Sequence, residues 1–308
     1  MALTPELLQQ AAWCLAVDTV TAEVIGDFEA CGIDVLLVKG PVIGRWLYPR
    51  EVRPYGDGDL VVASQTWDRA VARLEVMGFR DYLGPLEHPR MESEAGTGFL
   101  RGLHSIDLHS TLPGLGAEPA DVWRALSATS KIQEVGGRSV HVPDRIAVLM
   151  HIPLHAVHHV EGKPLEDLAR AVRRATDEEW RAAAGLAARL GGLEAFATGM
   201  RLLPEAADIA RRLDLAETGS IEYDLRTARV PLAEGLSELM SAPVSGKTRI
   251  VARELFPNTA FMRWSMPLAR TGRAGLVASY PLRWLSLIRR LPAAGLTVYR
   301  VRRRRSRA

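Results

Sequence analysis

Cysteine is scarce in this sequence of 308 residues, which holds only Cys14 and Cys31. Two cysteines are too few for a disulfide framework, and without a second pair they cannot complete a zinc ribbon. Long apolar runs are absent too. No run of about 18 uncharged apolar residues occurs, and residues 1–10 lack the basic flank and apolar stretch of a secretory signal. These absences predict a reducing, cytoplasmic setting and no transmembrane segment.

Acidic residues are almost absent from the C-terminal quarter of the chain. Residues 241–308 hold fifteen Lys or Arg residues and a single acid, Glu254, whereas residues 1–240 hold more acids than bases. Such a basic segment suits an anionic partner such as phosphate, nucleic acid or a membrane surface. It equally suits the acidic part of the same chain, with the basic segment folded back on it. The sequence leaves both interpretations open.

One helical stretch of this basic segment carries an apolar stripe. Between residues 280 and 291, Leu282, Leu285, Ile288 and Leu291 fall on one side of a helix. Such a stripe is typical of core packing, and also of a helix that lies on a membrane or a nucleic acid. The run from Arg302 to Arg305 has no interleaved aromatic residues, so any nucleic-acid binding there is predicted to be nonspecific.

The first part of the chain alternates helix-like and strand-like patterns. The spacing of apolar residues predicts a helix at 5–31, a buried strand at 33–38, a helical turn at 42–47, a strand at 56–62, a helix at 65–77 and a strand-like segment at 99–109. The stretch between Phe79 and Gly98 is polar and broken by prolines, so no element is predicted there.

The rest of the chain is almost entirely helical in pattern. A hairpin turn at Gly136-Gly137 and an N-cap at Asp144 precede the change. We therefore predict an α+β fold, in which a mixed sheet with flanking helices is followed by a mainly helical C-terminal portion. The predicted domains are 1–142, 143–299 and a basic tail at 300–308.

A pair of carboxylates is the strongest chemical signal. Asp57 and Asp59 are one residue apart on a predicted strand, so their side chains point to the same face. Two like charges this close repel each other unless a cation lies between them. The apolar residues that follow, Leu60 to Val62, bury the strand and leave the pair at its exposed end. This arrangement indicates a hard-cation site, although Asp-x-Asp alone also occurs in calcium-like loops and solvated turns.

Two further features turn the pair into a site. Asp107 stands on a later strand and is a candidate third carboxylate. Mg²⁺ prefers oxygen ligands and keeps waters that nucleotide phosphates can displace, and two such ions can clamp an in-line displacement. Lys39 and Gly40 end the strand before the pair, where a glycine allows backbone amides to approach a triphosphate and a lysine supplies positive charge.

Taken together, these motifs resemble the nucleotidyltransferase fold of the DNA polymerase beta superfamily. More narrowly, they are similar to an uncharacterised bacterial nucleotidyltransferase family whose members read Lys-Gly, Tyr-Pro, Arg, Asp-Ile-Asp-Leu-Leu-Val and Asp-Leu-His. The matching residues here are Leu36-Leu37-Val38-Lys39-Gly40, Tyr48-Pro49, Arg53, Asp57-Gly58-Asp59-Leu60-Val61-Val62 and Ile106-Asp107-Leu108-His109. The resemblance covers about the first half of the chain and implies a nucleotidyltransferase-type sheet.

The resemblance also implies roles for individual residues. Asp57, Asp59 and Asp107 would be the catalytic and metal-binding triad, with Mg²⁺ or Mn²⁺ as the ion. Gly40 would be the glycine of the phosphate loop, and Lys39 and Arg53 would contact phosphates or orient the loop. Family members of this kind occur in bacteria, some beside genes for peptide natural products, which makes a small molecule or peptide a plausible acceptor.

Two positions depart from the pattern. The wider superfamily has Gly-Ser or Gly-Gly where this chain has Gly40-Pro41, so a hydroxyl and a backbone N–H are missing from the loop. Gly58 stands where family members carry an apolar β-branched residue, which predicts a weaker strand and more freedom for the carboxylates beside it.

Histidines form a second group of candidates. His109 is two residues from Asp107 and shares its strand face, where it could bind phosphate, accept a proton or make a supporting hydrogen bond. One helix face carries histidines at i, i+4, i+7 and i+8, namely His151, His155, His158 and His159. Helical histidine pairs at four-residue spacing can bind zinc, but Pro153 interrupts the stretch. By the family resemblance, His155 and Asp167 would instead close the cleft or orient the substrate.

These features predict a metal-dependent enzyme that moves a nucleoside monophosphate from a nucleoside triphosphate to a small-molecule or peptide acceptor and releases pyrophosphate. In this scheme Asp107 also accepts the proton of the acceptor. Two alternatives remain open: a phosphotransferase that uses the same site, and a non-catalytic protein that binds a nucleotide or a partner.

Overall fold

The computed structural model describes residues 4–82, 84, 96–160, 162–216 and 220–306. These residues form two compact units, the first made of residues 4–82 and 96–216 and the second mainly of residues 220–306. The polar stretch predicted between Phe79 and Gly98 and the last two residues of the basic tail lie largely outside the described residues. The predicted domain boundaries stay predictions.

A mixed sheet forms the centre of the first unit. Within the described residues its strands are β1 (Val35–Leu37), β2 (Asp57–Val62), β3 (Arg80–Asp81), β4 (Gly96–Arg101) and β5 (His104–His109). Their spatial order is β1-β2-β5-β4-β3. Strands β2 and β5 run parallel, whereas the other neighbouring pairs are antiparallel. The central parallel pair therefore joins segments that are far apart in the sequence.

Helices flank this sheet. They are α1 (Pro5–Ala30), α2 (Pro41–Leu47), α3 (Trp67–Val76) and α4 (Pro119–Ser127). Helix α1 is capped by Thr4, whose hydroxyl accepts a hydrogen bond from the Leu7 backbone N–H. It buries Val24, Ile25 and Phe28, and it packs against β2 and β5. One face of the sheet is thus covered by an apolar helix.

The strand residue Gly58 is explained by this packing. A Cβ atom at position 58 would overlap the Oγ1 atom of Thr21 on α1 and would lie 2.9 Å from the Cδ1 atom of Ile106 on β5. Thr21 therefore occupies the space that a larger residue at position 58 would need. The strand is nevertheless paired on both sides.

The first unit continues with a hairpin and a helical layer. The hairpin consists of β6 (Lys131–Val135) and β7 (Arg138–Val142), and the helices are α5 (Arg145–His158), α6 (Lys163–Val172), α7 (Asp177–Arg189), α8 (Leu193–Met200) and α9 (Pro204–Arg212). Helix α5 is almost completely buried and contacts α6, α7 and α8. Its Asp144 cap accepts a hydrogen bond from the Ala147 backbone N–H, as predicted.

The second unit is helical. Its helices are α10 (Ile221–Thr227), α11 (Ala233–Ser241), α12 (Val244–Leu255), α13 (Thr259–Ser265) and α14 (Arg273–Arg305). A small core joins Leu225 and Ala233 to Ala294 and Val298 of α14. Among the described residues, no helix has both the length and the apolar character that crossing a bilayer requires.

The apolar stripe of α14 does not pack in a core. Leu282, Leu285, Ile288 and Leu291 are each at least 44% exposed. The helix instead buries Ser279 and Arg283, and the Arg283 guanidinium lies 2.8 Å from a Glu254 carboxylate oxygen. The core-packing interpretation of the stripe is therefore wrong.

The α+β prediction is confirmed, with one correction inside the sheet. The segment 99–109, predicted as a single strand-like element, is an antiparallel hairpin of β4 and β5. The two strands meet at Arg101 and His104, so only Gly102 and Leu103 form the turn, and Gly102 has a positive φ of 62°. The turn lacks the Asn-Gly or Asp-Gly signature that marks such loops most clearly.

Candidate active site

The carboxylates meet at the parallel pair of central strands. Asp59 on β2 lies directly opposite Asp107 on β5 in the strand register. Because side chains alternate along a strand, Asp57 shares the face of Asp59, and His109 shares the face of Asp107. The face that carries these four residues is opposite to the one that α1 covers, where Gly58 contacts Thr21.

Three of these side chains are close enough to bind one ion. Ligand atoms of Asp59, Asp107 and His109 all lie within 4.8 Å of one another. Asp57 is on the same face but outside this group. Carboxylate oxygens and an imidazole nitrogen form a donor set suited to a divalent cation, so the residues present fit a metal site.

A lysine already neutralises the most buried carboxylate. The Nζ atom of Lys39 lies 2.5 Å from the Oδ1 atom of Asp59, which is only 3% exposed. Burial favours the protonated form of Asp59, but the Lys39 ammonium, with a further contribution from the nearby His109, outweighs it and holds the pKa of this carboxyl well below its usual range. Lys39 is thus directed at the acid in this structure.

The other two carboxylates have the opposite tendency. Burial, together with the negative charge of Asp59, raises the pKa of Asp57. The same two causes, with the charge of Asp57 added, raise the pKa of Asp107 to about 6. Three acids and one lysine therefore leave an excess of negative charge in a partly buried site, which favours binding of a cation.

Gly40 is placed by its backbone and by one aromatic neighbour. Its φ is 56°, which favours glycine, and a Cβ atom there would contact the Tyr55 ring at 3.4 Å. Tyr55 in turn donates a hydrogen bond from its hydroxyl to Asp18 on α1. The backbone conformation thus explains why residue 40 is a glycine. Its predicted contact with a triphosphate stays a prediction.

Arg53 and Asp167 are brought together by the fold. The Arg53 guanidinium donates to both carboxylate oxygens of Asp167, with a shortest distance of 2.6 Å, and the Tyr48 hydroxyl donates to the same carboxylate at 2.9 Å. Arg53 is 4% exposed and Asp167 is 1% exposed. Of the two roles expected for Arg53, this buried pair is compatible with orienting the loop. Its predicted contact with phosphate stays a prediction.

Helix α5 places His151 and His155 close to Lys39 and Asp59. Helix α5 runs through Pro153 without ending, and the His151 and His155 rings stack with their centroids 5.7 Å apart. Burial and the nearby Lys39 charge lower the pKa of His151 to about 3, and they lower that of His155 as well. Both imidazoles are therefore neutral near pH 7. No three-ligand cluster of these histidines occurs among the described residues.

Several residues near the site carried no clear signal in the sequence. Lys163 at the start of α6 donates to the Pro54 carbonyl at 2.5 Å, and Tyr82 lies across Gly98, which is opposite Asp107 in the register. The sequence marks His151 only as one member of the histidine row. Tyr48 was visible only as part of a family motif, because its partner Asp167 is 119 residues away.

Comparison with known proteins places these residues in a wider context. A sequence profile of the family described as uncharacterised nucleotidyltransferases matches residues 2–208, which is well over half of the chain. A search of curated proteins finds no match.

Solved structures show more distant similarity. The solution structure of the antibiotic-resistance factor ANT(2'')-Ia is 19% identical, with 57% of this chain and 94% of that chain covered and a TM-score of 0.42. The crystal structure of ANT(2'')-Ia in complex with adenylyl-2''-tobramycin is 18% identical, covers 56% and 97%, and has a TM-score of 0.41. An antigenic nucleotidyltransferase-like protein from Paracoccidioides brasiliensis is 13% identical, covers 63% and 92%, and has a TM-score of 0.36.

Proposed function

Because this chain belongs to the family of uncharacterised nucleotidyltransferases, we propose that it transfers a nucleoside monophosphate from a nucleoside triphosphate to a small-molecule or peptide acceptor and releases pyrophosphate. The observation that carries the proposal is the register of β2 and β5, which sets Asp59 opposite Asp107 beside Lys39. The acceptor is proposed only as a chemical class, and no nucleotide base is specified.

The residues of the first unit supply the parts that this reaction needs. Asp57, Asp59 and Asp107 hold the divalent metal, Mg²⁺ or Mn²⁺, and Lys39 and Gly40 contact the triphosphate. A bound divalent ion would neutralise charge on the phosphates and align the attacking and leaving oxygens. The buried Arg53–Asp167 pair holds the segment that precedes β2 in place. His155 and Asp167 close the cleft or orient the substrate, and Asp167 does so through its buried pair with Arg53.

Lys39 links substrate binding to the acids. Its ammonium neutralises Asp59 when no nucleotide is present. With a triphosphate bound, Lys39 would turn from Asp59 to a phosphate oxygen. The Asp59 carboxylate would then help to hold the divalent metal, whose charge would replace that of the ammonium. This exchange keeps the buried charges balanced.

The proposal also includes a partner for the basic C-terminal segment and a cellular location. The exposed arginines of α14, including Arg289, Arg290 and Arg300, support an anionic partner for the basic C-terminal segment. The cytoplasmic location predicted from the sequence also stays a prediction.

A radiolabel experiment tests the proposal and separates it from its alternatives. The protein is incubated with Mg²⁺ or Mn²⁺, a small-molecule and peptide fraction of a cell extract, and ATP, GTP, CTP or UTP labelled on either the α- or the γ-phosphate. Label from the α-phosphate is expected in an acceptor, with release of pyrophosphate. Transfer of the γ-label alone would instead show a phosphotransferase.

The third possibility is a protein that only binds its ligand. Asp59→Asn and Asp107→Asn should each reduce transfer by about a thousandfold or more, because each removes a charge that binds the metal. Asp34→Asn is the matched control, since Asp34 is exposed in the turn before β1. Transfer that is equal in Asp59→Asn and in wild type would contradict the proposed site.

A further inference from the structure

His109 is a buried side chain whose polar atoms are unused. It is 8% exposed, and neither ring nitrogen has a hydrogen-bond partner. A buried polar group without a partner is rare in folded proteins and calls for an explanation, such as a ligand or an ion at that place. The ring lies on β5 two residues after Asp107 and on the same face of the sheet.

The neighbouring strand determines which nitrogen faces the acids. Gly96 on β4 pairs with His109, and a Cβ atom at position 96 would lie 2.7 Å from the His109 Nδ1 atom. Glycine at this position leaves room for the ring and puts Nδ1 against the β4 backbone. The other nitrogen, Nε2, lies 3.6 Å from the Oδ1 atom of Asp59. That distance is too long for a hydrogen bond but suits two ligands of one ion.

The separations are compatible with three ligands of one ion. Two ligands of a small divalent ion at about 2.1 Å lie between roughly 3 Å and roughly 4.2 Å apart. Ligand atoms of Asp59, Asp107 and His109 lie within 4.8 Å of one another, so side-chain adjustments would bring all three within reach of one ion.

We propose that His109 is a ligand of the active-site metal and that its nitrogen makes the site prefer Mn²⁺ over Mg²⁺. The inference rests on the proposed function only in taking this site as the metal site. Mg²⁺ strongly favours oxygen ligands, whereas imidazole nitrogen suits transition metals better. An imidazole added to the carboxylates therefore favours a metal that accepts nitrogen as well as oxygen.

The test uses the full chain with Mn²⁺ alone, without nucleotide or acceptor. Binding is followed by the loss of the electron paramagnetic resonance signal of free Mn²⁺, and Mg²⁺ is added as a competitor. Pulsed measurements on the bound Mn²⁺ then detect ¹⁴N coupling from a coordinated imidazole. We expect one bound Mn²⁺ with ¹⁴N coupling that Mg²⁺ displaces poorly.

Variants identify which histidine supplies the bound nitrogen. His109→Gln should remove the ¹⁴N coupling and weaken Mn²⁺ binding by about tenfold or more, while Mg²⁺ binding changes little. His104→Gln is the matched control, because His104 lies on the same strand but on the opposite face, stacked on Trp13. It should keep both the affinity and the coupling. Circular dichroism establishes that each variant is folded.

Three results would overturn the proposal: no Mn²⁺ bound to the wild-type chain, bound Mn²⁺ without ¹⁴N coupling, or coupling that persists in His109→Gln. The first two need no variant, so a misfolded His109→Gln leaves the test decisive. If Mn²⁺ binds with ¹⁴N coupling but no nucleotide is transferred, the proposed function fails and the ligand assignment stands. If nucleotide is transferred but the bound Mn²⁺ shows no ¹⁴N coupling, the ligand assignment fails and the proposed function stands.

Discussion

The Nζ atom of Lys39 lies 2.5 Å from the Oδ1 atom of Asp59, so an ammonium group is the direct partner of a carboxylate in the proposed metal site. The two residues come from the end of β1 and from β2, which are antiparallel neighbours. The lysine compensates the charge of an almost fully buried acid, and removing it would leave that acid without a partner.

A lysine substitution should therefore separate metal binding from catalysis. In Lys39→Met we expect the affinity for Mn²⁺ alone to rise on the order of tenfold, because the ion no longer competes with an ammonium for Asp59. Nucleotide transfer should fall in the same variant, because the triphosphate loses a positive contact. Titration calorimetry measures the first effect and the α-phosphate label the second. Lys131→Met, at an exposed position of β6, should change neither, and unchanged metal affinity in Lys39→Met would contradict this account.

The Arg53–Asp167 pair should matter for stability, because both side chains are buried. Asp167→Asn leaves the Arg53 charge without its partner, which should lower the free energy of unfolding by about 3–5 kcal/mol. The double variant Arg53→Met with Asp167→Leu removes both charges and should lose clearly less. Urea unfolding of the single and double variants measures this. Equal losses in the two variants would show that the charge pairing is not what stabilises this region.

The stability cost of replacing Gly58 should depend on Thr21. Gly58→Ala should lower the free energy of unfolding by about 1–3 kcal/mol, because the added methyl group overlaps the Thr21 side chain. In a Thr21→Ala background the same substitution should cost much less, because the overlapping hydroxyl is gone. A double-mutant cycle in urea measures the coupling between the two positions. Additive effects would show that Thr21 is not the obstacle.

Acidification should destabilise the first unit through His151. Its pKa is lowered to about 3 in the folded chain, against roughly 6.5 when unfolded, so below about pH 6.5 only the unfolded chain takes up this proton. Stability from this residue is complete above that pH and is lost as the pH falls towards 3. Between pH 7 and pH 5 the loss amounts to about 2 kcal/mol.

A variant comparison isolates this contribution from those of other groups. The charged and titratable groups that affect His151 are Lys39, Asp59, His109, His155 and His158. They remain in His151→Leu, so the difference in pH dependence between this variant and wild type reports His151 itself. Urea unfolding at pH 5, 6 and 7 measures it. The exposed His141→Leu is the control and should follow wild type, and identical slopes for all three proteins would contradict the prediction.

Local patterns were enough to predict most elements and part of the site. The N-cap at Asp144 and the hairpin at Gly136-Gly137 are as predicted, because capping and tight turns depend on a few consecutive residues. The ligand atoms of Asp59, Asp107 and His109 lie within 4.8 Å of one another, with Asp57 outside this group, and the metal triad of Asp57, Asp59 and Asp107 stays a prediction. Strand alternation predicts the face of a side chain, but it does not predict the distances between strands.

The amino-acid sequence by itself determined the order of helices and strands, the shared face of Asp57 and Asp59, and membership of a nucleotidyltransferase family. These properties follow from short-range periodicity and from motifs made of a few consecutive residues. Only the tertiary structure decided that Asp59 lies opposite Asp107, that Lys39 pairs with Asp59, and that Arg53 pairs with Asp167 across 114 residues. The physical reason is that register and ion pairing between distant segments depend on how whole elements pack, and no local stretch of sequence specifies that packing.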